Sequence, residues 1–309
     1  RAADFARLLD ENPRRRAIEL SNYGEMLRQP ELAEILAHAD RRGVAVTADN
    51  GVNLCTARRE QLEAMVAHRL RSLTVSIDGA TQETYARYRV GGDFAAVLAN
   101  VRTLRAIPRE RGSRYPRLRW QMVVLGHAEH EIEAARAMAR ELGMEFVLKL
   151  AWDDETAPVR DPELVRRATG LGVATRAEYR ERHGVDYMRA ICHQLWKDPQ
   201  VNWDGRVLGC CRNHWGDFGA NAFTEGLEAS VNSERMRHAR AMLTGRAPAR
   251  DDVPCTSCDL YRELARSRRW ITRAELALPH HAGRRLARHP RLRRILSRAL
   301  ALVAPRRAD

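Results

Sequence analysis

The sequence predicts an α/β fold: a parallel sheet in its first half, followed by a small cysteine-rich module. Three observations carry this. Five short apolar runs alternate with four amphipathic stretches in about the first 150 residues. The polar residues that interrupt the first three runs all fall at their C-terminal ends. Five of the six cysteines lie between positions 192 and 258. With 44% hydrophobic and 30% charged residues, the 309-residue chain has the composition of a folded globule and not of a disordered one. It holds no apolar run near the roughly 18 residues of a membrane span.

In order, the strand candidates are Ala17–Ser21, Val44–Ala48, Leu73–Ile77, Leu118–Val124 and Glu145–Leu150. Helical periodicity covers Glu31–Arg42, Arg58–His68, Asp93–Ala106 and His130–Leu142. Gly43 and Gly143 supply helix stops. A doubly wound sheet and a (β/α) barrel both fit such an alternation. From Trp152 the sequence turns polar, and 152–190 reads as a linker with helices. The cysteine module spans 191–261 and contains an Asp204-Gly205 hairpin turn. A basic helical tail occupies 262–309.

The charge is concentrated there. Of 53 basic residues only Lys149 and Lys197 are lysines, a bias expected of a GC-rich genome. From Arg262 onward 14 Arg face three acidic residues, a net of +11 out of a total of +13. The body is therefore near neutral, which argues against a nucleic-acid-binding face on it. After Pro290, Leu292, Ile295, Leu296, Ala299, Leu300 and Val303 form a helical stripe flanked by Arg. It fits either a packed helix or an interfacial one contacting an anionic membrane surface.

Three strand ends carry chemistry: Ser21-Asn22-Tyr23-Gly24-Glu25, Thr47-Ala48-Asp49-Asn50-Gly51 and Ser76-Ile77-Asp78-Gly79. In parallel α/β architectures that edge binds ligands, although Asp, Asn and Gly there also serve as turns and helix caps. In the second half, Cys192 and Cys210 flank the hairpin, and Cys255 and Cys258 form a C-x-x-C. Clustered cysteines of this kind favour a metal site over a disulfide framework, and four thiolates suit [4Fe–4S] or tetrahedral zinc equally by spacing. Cys211 should face away from its neighbour. Cys55 reads as a small buried hydrophobe, His127 and His130 as solvated, and Trp203 and Trp215 as packing over the cluster or the small core.

These motifs resemble radical S-adenosylmethionine (SAM) enzymes with a C-terminal SPASM domain. Ile18 to Glu25 is similar to the family's second strand and its GGE-type motif, here Tyr23-Gly24-Glu25. Val75 to Tyr85 is similar to its fourth-strand segment, and Cys192…Gly205…Cys210…Cys255-x-x-Cys258 to the SPASM skeleton. The resemblance implies a partial (β/α)6 radical-SAM barrel over 1–151, lacking its first unit, and a SPASM-like module with one auxiliary [4Fe–4S] cluster on Cys192, Cys210, Cys255 and Cys258. It implies that Tyr23, Gly24 and Glu25 bind the SAM amino group, that Asn50, Ser76 and Asp78 belong to the same site with the last two near the ribose, and that Arg89 pairs with the SAM carboxylate.

Two departures accompany it. No cysteine follows Cys258, so a second auxiliary cluster is not expected. The C-x-x-x-C-x-x-C of the SAM-cleaving cluster is absent from the chain, which reads as an N-terminally truncated protein, inactive as it stands. The expected whole is a cytoplasmic enzyme that cleaves SAM to a 5′-deoxyadenosyl radical. It takes electrons from a donor such as flavodoxin or ferredoxin and acts on an unnamed peptide, sugar or small molecule. The rival expectation is a zinc-stabilised binding module whose tail engages nucleic acid or anionic surfaces.

Overall fold

Strand parity organises the sheet. In the computed structural model, which describes residues 1–110, 113–153 and 155–277, five strands run parallel in the order β1-β2-β3-β4-β5. They are β1 (Ala17–Glu19), β2 (Ala45–Val52), β3 (Ser72–Ser76), β4 (Arg117–Val124) and β5 (Glu145–Leu150). Alternate residues face opposite sides. Leu73, Val75, Leu118, Trp120 and Met122 line one face and are almost wholly buried. Ser72, Thr74, Ser76, Arg117, Arg119 and Gln121 line the other, paired Ser72–Arg117, Thr74–Arg119 and Ser76–Gln121 by register. Right-handed crossovers between sequential neighbours put every connecting helix on one side of such a sheet. The apolar face is therefore the helix-covered one, and the polar face carries no connecting helix.

The helices of this unit are α1 (Ala2–Glu11), α2 (Leu32–Arg41), α3 (Arg59–Ala67), α4 (Gln82–Tyr88), α5 (Phe94–Ala106), α6 (Ile132–Glu141) and α7 (Pro162–Thr169). Leu36, Leu62, Val97, Val101 and Ile132 meet the sheet in one core. Thr81 and Asp93 cap α4 and α5 by accepting from the N–H groups of Thr84 and Ala96. Helix α4 was not expected from sequence. Strand β2 also runs past the expected Ala48 to Val52, because a bulge absorbs Asp49, Asn50 and Gly51.

The chain divides into two compact units at Arg176 and Ala177, inside the stretch read as a linker. Residues before the division join the first unit: Val165 and Ala174 pack with Val124. The second unit contains α8 (Arg176–His183), which opens at the boundary, α9 (Gln194–Lys197), the hairpin β6 (Gln200–Val201) and β7 (Val207–Gly209), α10 (Leu227–Val231), α11 (Glu234–Leu243), α12 (Asp259–Ser267) and α13 (Arg273–Ala277). Its core joins Leu195, Val207, Phe218, Met236, Met242, Leu243 and Leu264. Residues 262–277, the start of the expected tail, pack into this core through Leu264 and Ile271. A buried ion pair fastens them: Arg189 donates to both Glu275 oxygens (3.2 and 3.1 Å) and to the carbonyls of Arg269 and Trp270. The basic helix expected over 292–303 lies outside the described residues. No described helix is long and apolar enough to cross a membrane.

Candidate functional site: a polar sheet edge and a four-cysteine cavity

Because the strands are parallel, the three polar strand ends share one edge of the sheet. After β1, Gly24 takes φ +75°, a left-handed conformation that favours glycine. It turns Glu25 back so that one carboxylate oxygen accepts from Asn53 N–H (2.8 Å) beyond β2. The other caps the 3-10 turn Met26–Arg28 through Leu27 N–H (3.4 Å). Burial pushes the Glu25 carboxyl above its ordinary value, against those N–H groups and the nearby charge of Arg89. The second strand end is tied to the first: Ser21 Oγ accepts from Asn50 N–H (3.0 Å), and Glu19 accepts from Ser21, Thr47 and Asp49.

The bulge at Asp49–Gly51 has a purpose legible in distances. Gly51 has φ +110°, and a Cβ there would stand 2.4 Å from Ser76 Oγ and 3.3 Å from Gln121 Nε2. Only a residue without a side chain lets β2 close on Ser76, which is 4% exposed.

Asp78 has no exposed surface. Its Oδ1 accepts from Val123 N–H at the end of β4 (2.7 Å), and its Oδ2 accepts from Arg89 Nε (2.6 Å). Burial raises its pKa, opposed chiefly by the charge of Arg89. In this structure Asp78 therefore orients Arg89 and carries no atom open to solvent. Arg89 is 27% exposed, stands 5.3 Å over the Tyr88 ring, and spends only Nε on Asp78, which leaves its Nη groups as donors at the edge. Lys149, near enough for its charge to act on Asp78, was not singled out from sequence as a site residue. Its rarity in an arginine-rich chain was the available signal.

In the second unit, Asn202 N–H bonds Arg206 C=O (2.8 Å) and Gly205 takes φ +87°, which gives the expected hairpin. Cys210 follows β7, Cys192 lies in the 3-10 turn Arg189–His193, Cys255 in the turn Pro254–Ser257, and Cys258 precedes α12. All four line one cavity with Leu195, Leu208, Phe218 and Tyr261, whereas Cys211 is not part of that lining. Cys211 N–H instead bonds Gln194 Oε1 (2.8 Å). Among the described residues no three His, Cys, Asp or Glu side chains are arranged to hold a single metal ion. The four cysteines share the wall of one cavity.

The thiols influence one another. Burial pushes Cys192 well up, reinforced by Cys210, Cys255 and Cys258, and Cys210 is pushed up to about 12. Burial also raises Cys255 and Cys258, the latter opposed by the N–H groups of Tyr261 and Leu260 at the start of α12. Four thiolates in this apolar cavity require a cationic group among them, and an iron–sulfur core supplies one. The donor set fits.

Other expectations resolve singly. Trp203 does not pack over the cavity: it is 80% exposed at the hairpin turn, where its neighbours are polar. Trp215 does line the cavity and donates to Pro254 C=O (3.1 Å). Cys55 packs against the sheet core and accepts from Asp93 N–H (3.2 Å).

Residues 192–259 match the family model of the SPASM iron–sulfur cluster-binding domain, an interval that opens on Cys192 and encloses all four cavity cysteines. That match is confined to the cysteine module, and the likeness of the rest of the chain lies in its fold. The fold is similar to that of Streptococcus suis SuiB. The structure of SuiB bound to S-adenosylmethionine matches with a TM-score of 0.57 at 13% identity, covering 84% of this chain and 64% of that one. SuiB bound to the precursor peptide SuiA matches with 0.57, also at 13%, covering 84% and 63%. The chain thus spans just under two thirds of SuiB. No curated protein matches the sequence.

Proposed function

We propose that this chain supplies the SAM-binding sheet edge and the auxiliary-cluster module of a radical SAM enzyme. The observation that carries the reading is the Glu25–Arg89–Asp78 grouping at one sheet edge, in a fold shared with a SAM-bound protein. Glu25 and the Tyr23-Gly24 backbone receive the amino group of SAM, and the Arg89 Nη groups take its carboxylate. Asn50 and Ser76 face the ribose. Asp78 acts as a positioning residue, because its oxygens are spent on Val123 and Arg89. Cys192, Cys210, Cys255 and Cys258 hold one [4Fe–4S] cluster.

A second cluster, where bound, would supply the electron for reductive cleavage of SAM and so the means of hydrogen abstraction. No C-x-x-x-C-x-x-C occurs in the sequence, so that second cluster is assigned to no residue here. The protein's own part is to bind SAM, exclude water and hold the auxiliary cluster. A peptide is the substrate class favoured by the likeness to peptide-bound SuiB, a flavodoxin- or ferredoxin-type donor supplies electrons, and the setting is the cytoplasm.

Two measurements test the reading. Calorimetric titration with SAM should show binding that Arg89→Ala weakens at least tenfold, the loss of a charge-assisted pair worth about 1.5–3 kcal/mol, while Cys192→Ala leaves it unchanged. Anaerobic reconstitution should give about four iron and four sulfide per chain, as one [4Fe–4S] cluster requires. Replacement of any of the four cysteines by Ala should abolish the cluster absorbance, and Cys211→Ala should keep it. Absence of SAM binding, or zinc at one per chain in place of iron, would sink the proposal.

A further inference from the structure

Arg212 is the one charged residue, apart from the cysteines themselves, that lines the four-cysteine cavity. The remaining lining is uncharged and mostly apolar, and its Asn213 has Nδ2 committed to Leu208 C=O (2.9 Å). Arg212 lies two residues beyond Cys210, yet its fork closes on the other half of the cysteine set. Nε and Nη2 donate to the two oxygens of Asp259 (3.1 and 2.6 Å), the residue immediately after Cys258. The guanidinium charge is also close enough to act on the Cys258 sulfur. Cys258 Sγ in turn donates to Asp259 Oδ1 at 3.7 Å.

This last contact belongs to the thiol alone. Once Cys258 serves as a thiolate ligand it has no proton to donate, and the Asp259 carboxylate beside it becomes repulsive. The Arg212 guanidinium, held by Asp259, then remains as the positive charge beside that sulfur. Four thiolates around an iron–sulfur core leave an anion, and each electron added makes it more negative. A fixed positive charge beside one ligand sulfur favours the reduced form, whereas a carboxylate opposes it.

We infer that Arg212 is a positioning residue that fastens the hairpin cysteine to the C-x-x-C pair and raises the reduction potential of the auxiliary cluster, with Asp259 as its opposing partner. The inference rests on the cluster assignment above, and its test separates the two. The reconstituted full chain is titrated with dithionite under electron paramagnetic resonance, with iron and sulfide measured on the same samples. Arg212→Leu should keep about four iron per chain and move the midpoint potential to more negative values by about 59 mV, a tenfold change for a one-electron couple. Asp259→Asn should move it in the positive direction, and Arg212→Lys should restore most of the shift, because a purely structural fastener has no reason to act with opposite signs.

An unmoved potential in iron-replete Arg212→Leu overturns the inference and leaves the cluster intact as a proposal. Should Arg212→Leu lose its iron, Asp259→Asn decides: a positive shift supports the inference, and no shift or a negative one overturns it. Wild-type chain that takes up no iron overturns both readings.

Discussion

In the sheet unit the buried carboxylate of Asp78 is matched at both oxygens, by Val123 N–H and by Arg89, whereas in the cysteine unit four cysteines line one largely apolar cavity. The first arrangement is complete in itself. Its polar edge stands on a core of strand and helix residues such as Leu73, Val75 and Trp120, which no ligand needs to finish. The second has short helices, a hairpin of five strand residues, and ligand candidates drawn from three separate turns. Regular secondary structure positions the one site, and the bound group itself must help to position the other. A parallel sheet can thus carry a binding edge without ligand, while a loop-built cavity depends on its occupant.

Four perturbations bear on this contrast. The largest effects come from single core residues in each unit. Trp120 is fully buried and donates to Ile77 C=O (2.8 Å), so Trp120→Ala should destabilise the sheet unit by about 3–5 kcal/mol. Iron uptake should survive that change. Glu275→Ala leaves Arg189 buried without its carboxylate, a loss of about 3–5 kcal/mol in the cysteine unit. It should impair iron retention, since Arg189 opens the turn that carries Cys192. Region-resolved hydrogen exchange reads both, and protection lost in the opposite unit would break the comparison.

A smaller effect is expected at Gly51. An alanine Cβ would meet Ser76 Oγ in a backbone conformation that L side chains rarely adopt, at a cost of about 1–3 kcal/mol. Thermal unfolding should register the loss, and SAM affinity should fall with it, because β2 is pushed away from Ser76. An unchanged affinity would place Ser76 outside the site.

The smallest effect is a pH dependence confined to the cysteine unit. Folding raises the Cys210 thiol from its ordinary value of 9.0 to about 12. Its contribution to stability is therefore full below the ordinary value and is lost as pH rises through about 12. The iron-free chain should lose stability over that window, and Cys210→Ser should flatten the slope. A slope equal in the two chains would show that burial of this thiol is not felt.

Much of the sheet was legible because its alternation is coarse: four of the expected helices and all five strands occur, with ends shifted by a few residues. Gly43 and Gly143 stop their helices at φ +68° and +61°, as their positions suggested. What could not be read was tertiary. Asp49-Asn50-Gly51 has turn composition, yet the close approach to Ser76 draws it into β2 as a bulge. Helix α4 is seven residues long, too short for periodicity to announce it. The same limit applied to the sites. Which residues gather at the edge follows from strand direction, and so was accessible. That Asp78 is spent on Arg89 follows from burial, which composition does not encode. At the hairpin, the Asp204-Gly205 turn was plain from sequence, but the exposure of Trp203 was not.

The spacing of the four cysteines has a further consequence when the chain is regarded as a polymer. Cys192 and Cys210 are 18 residues apart, and Cys210 and Cys255 are 45 apart. A group bonded to all four sulfurs ties these segments into two closed loops, so an unfolded chain that retained it would forfeit much of its conformational freedom. By analogy with disulfides, closing loops of such lengths is worth about 3–4 kcal/mol each. A cluster held there would act as a removable cross-link, and its oxidative loss would release slack in the chain as well as charge in the cavity.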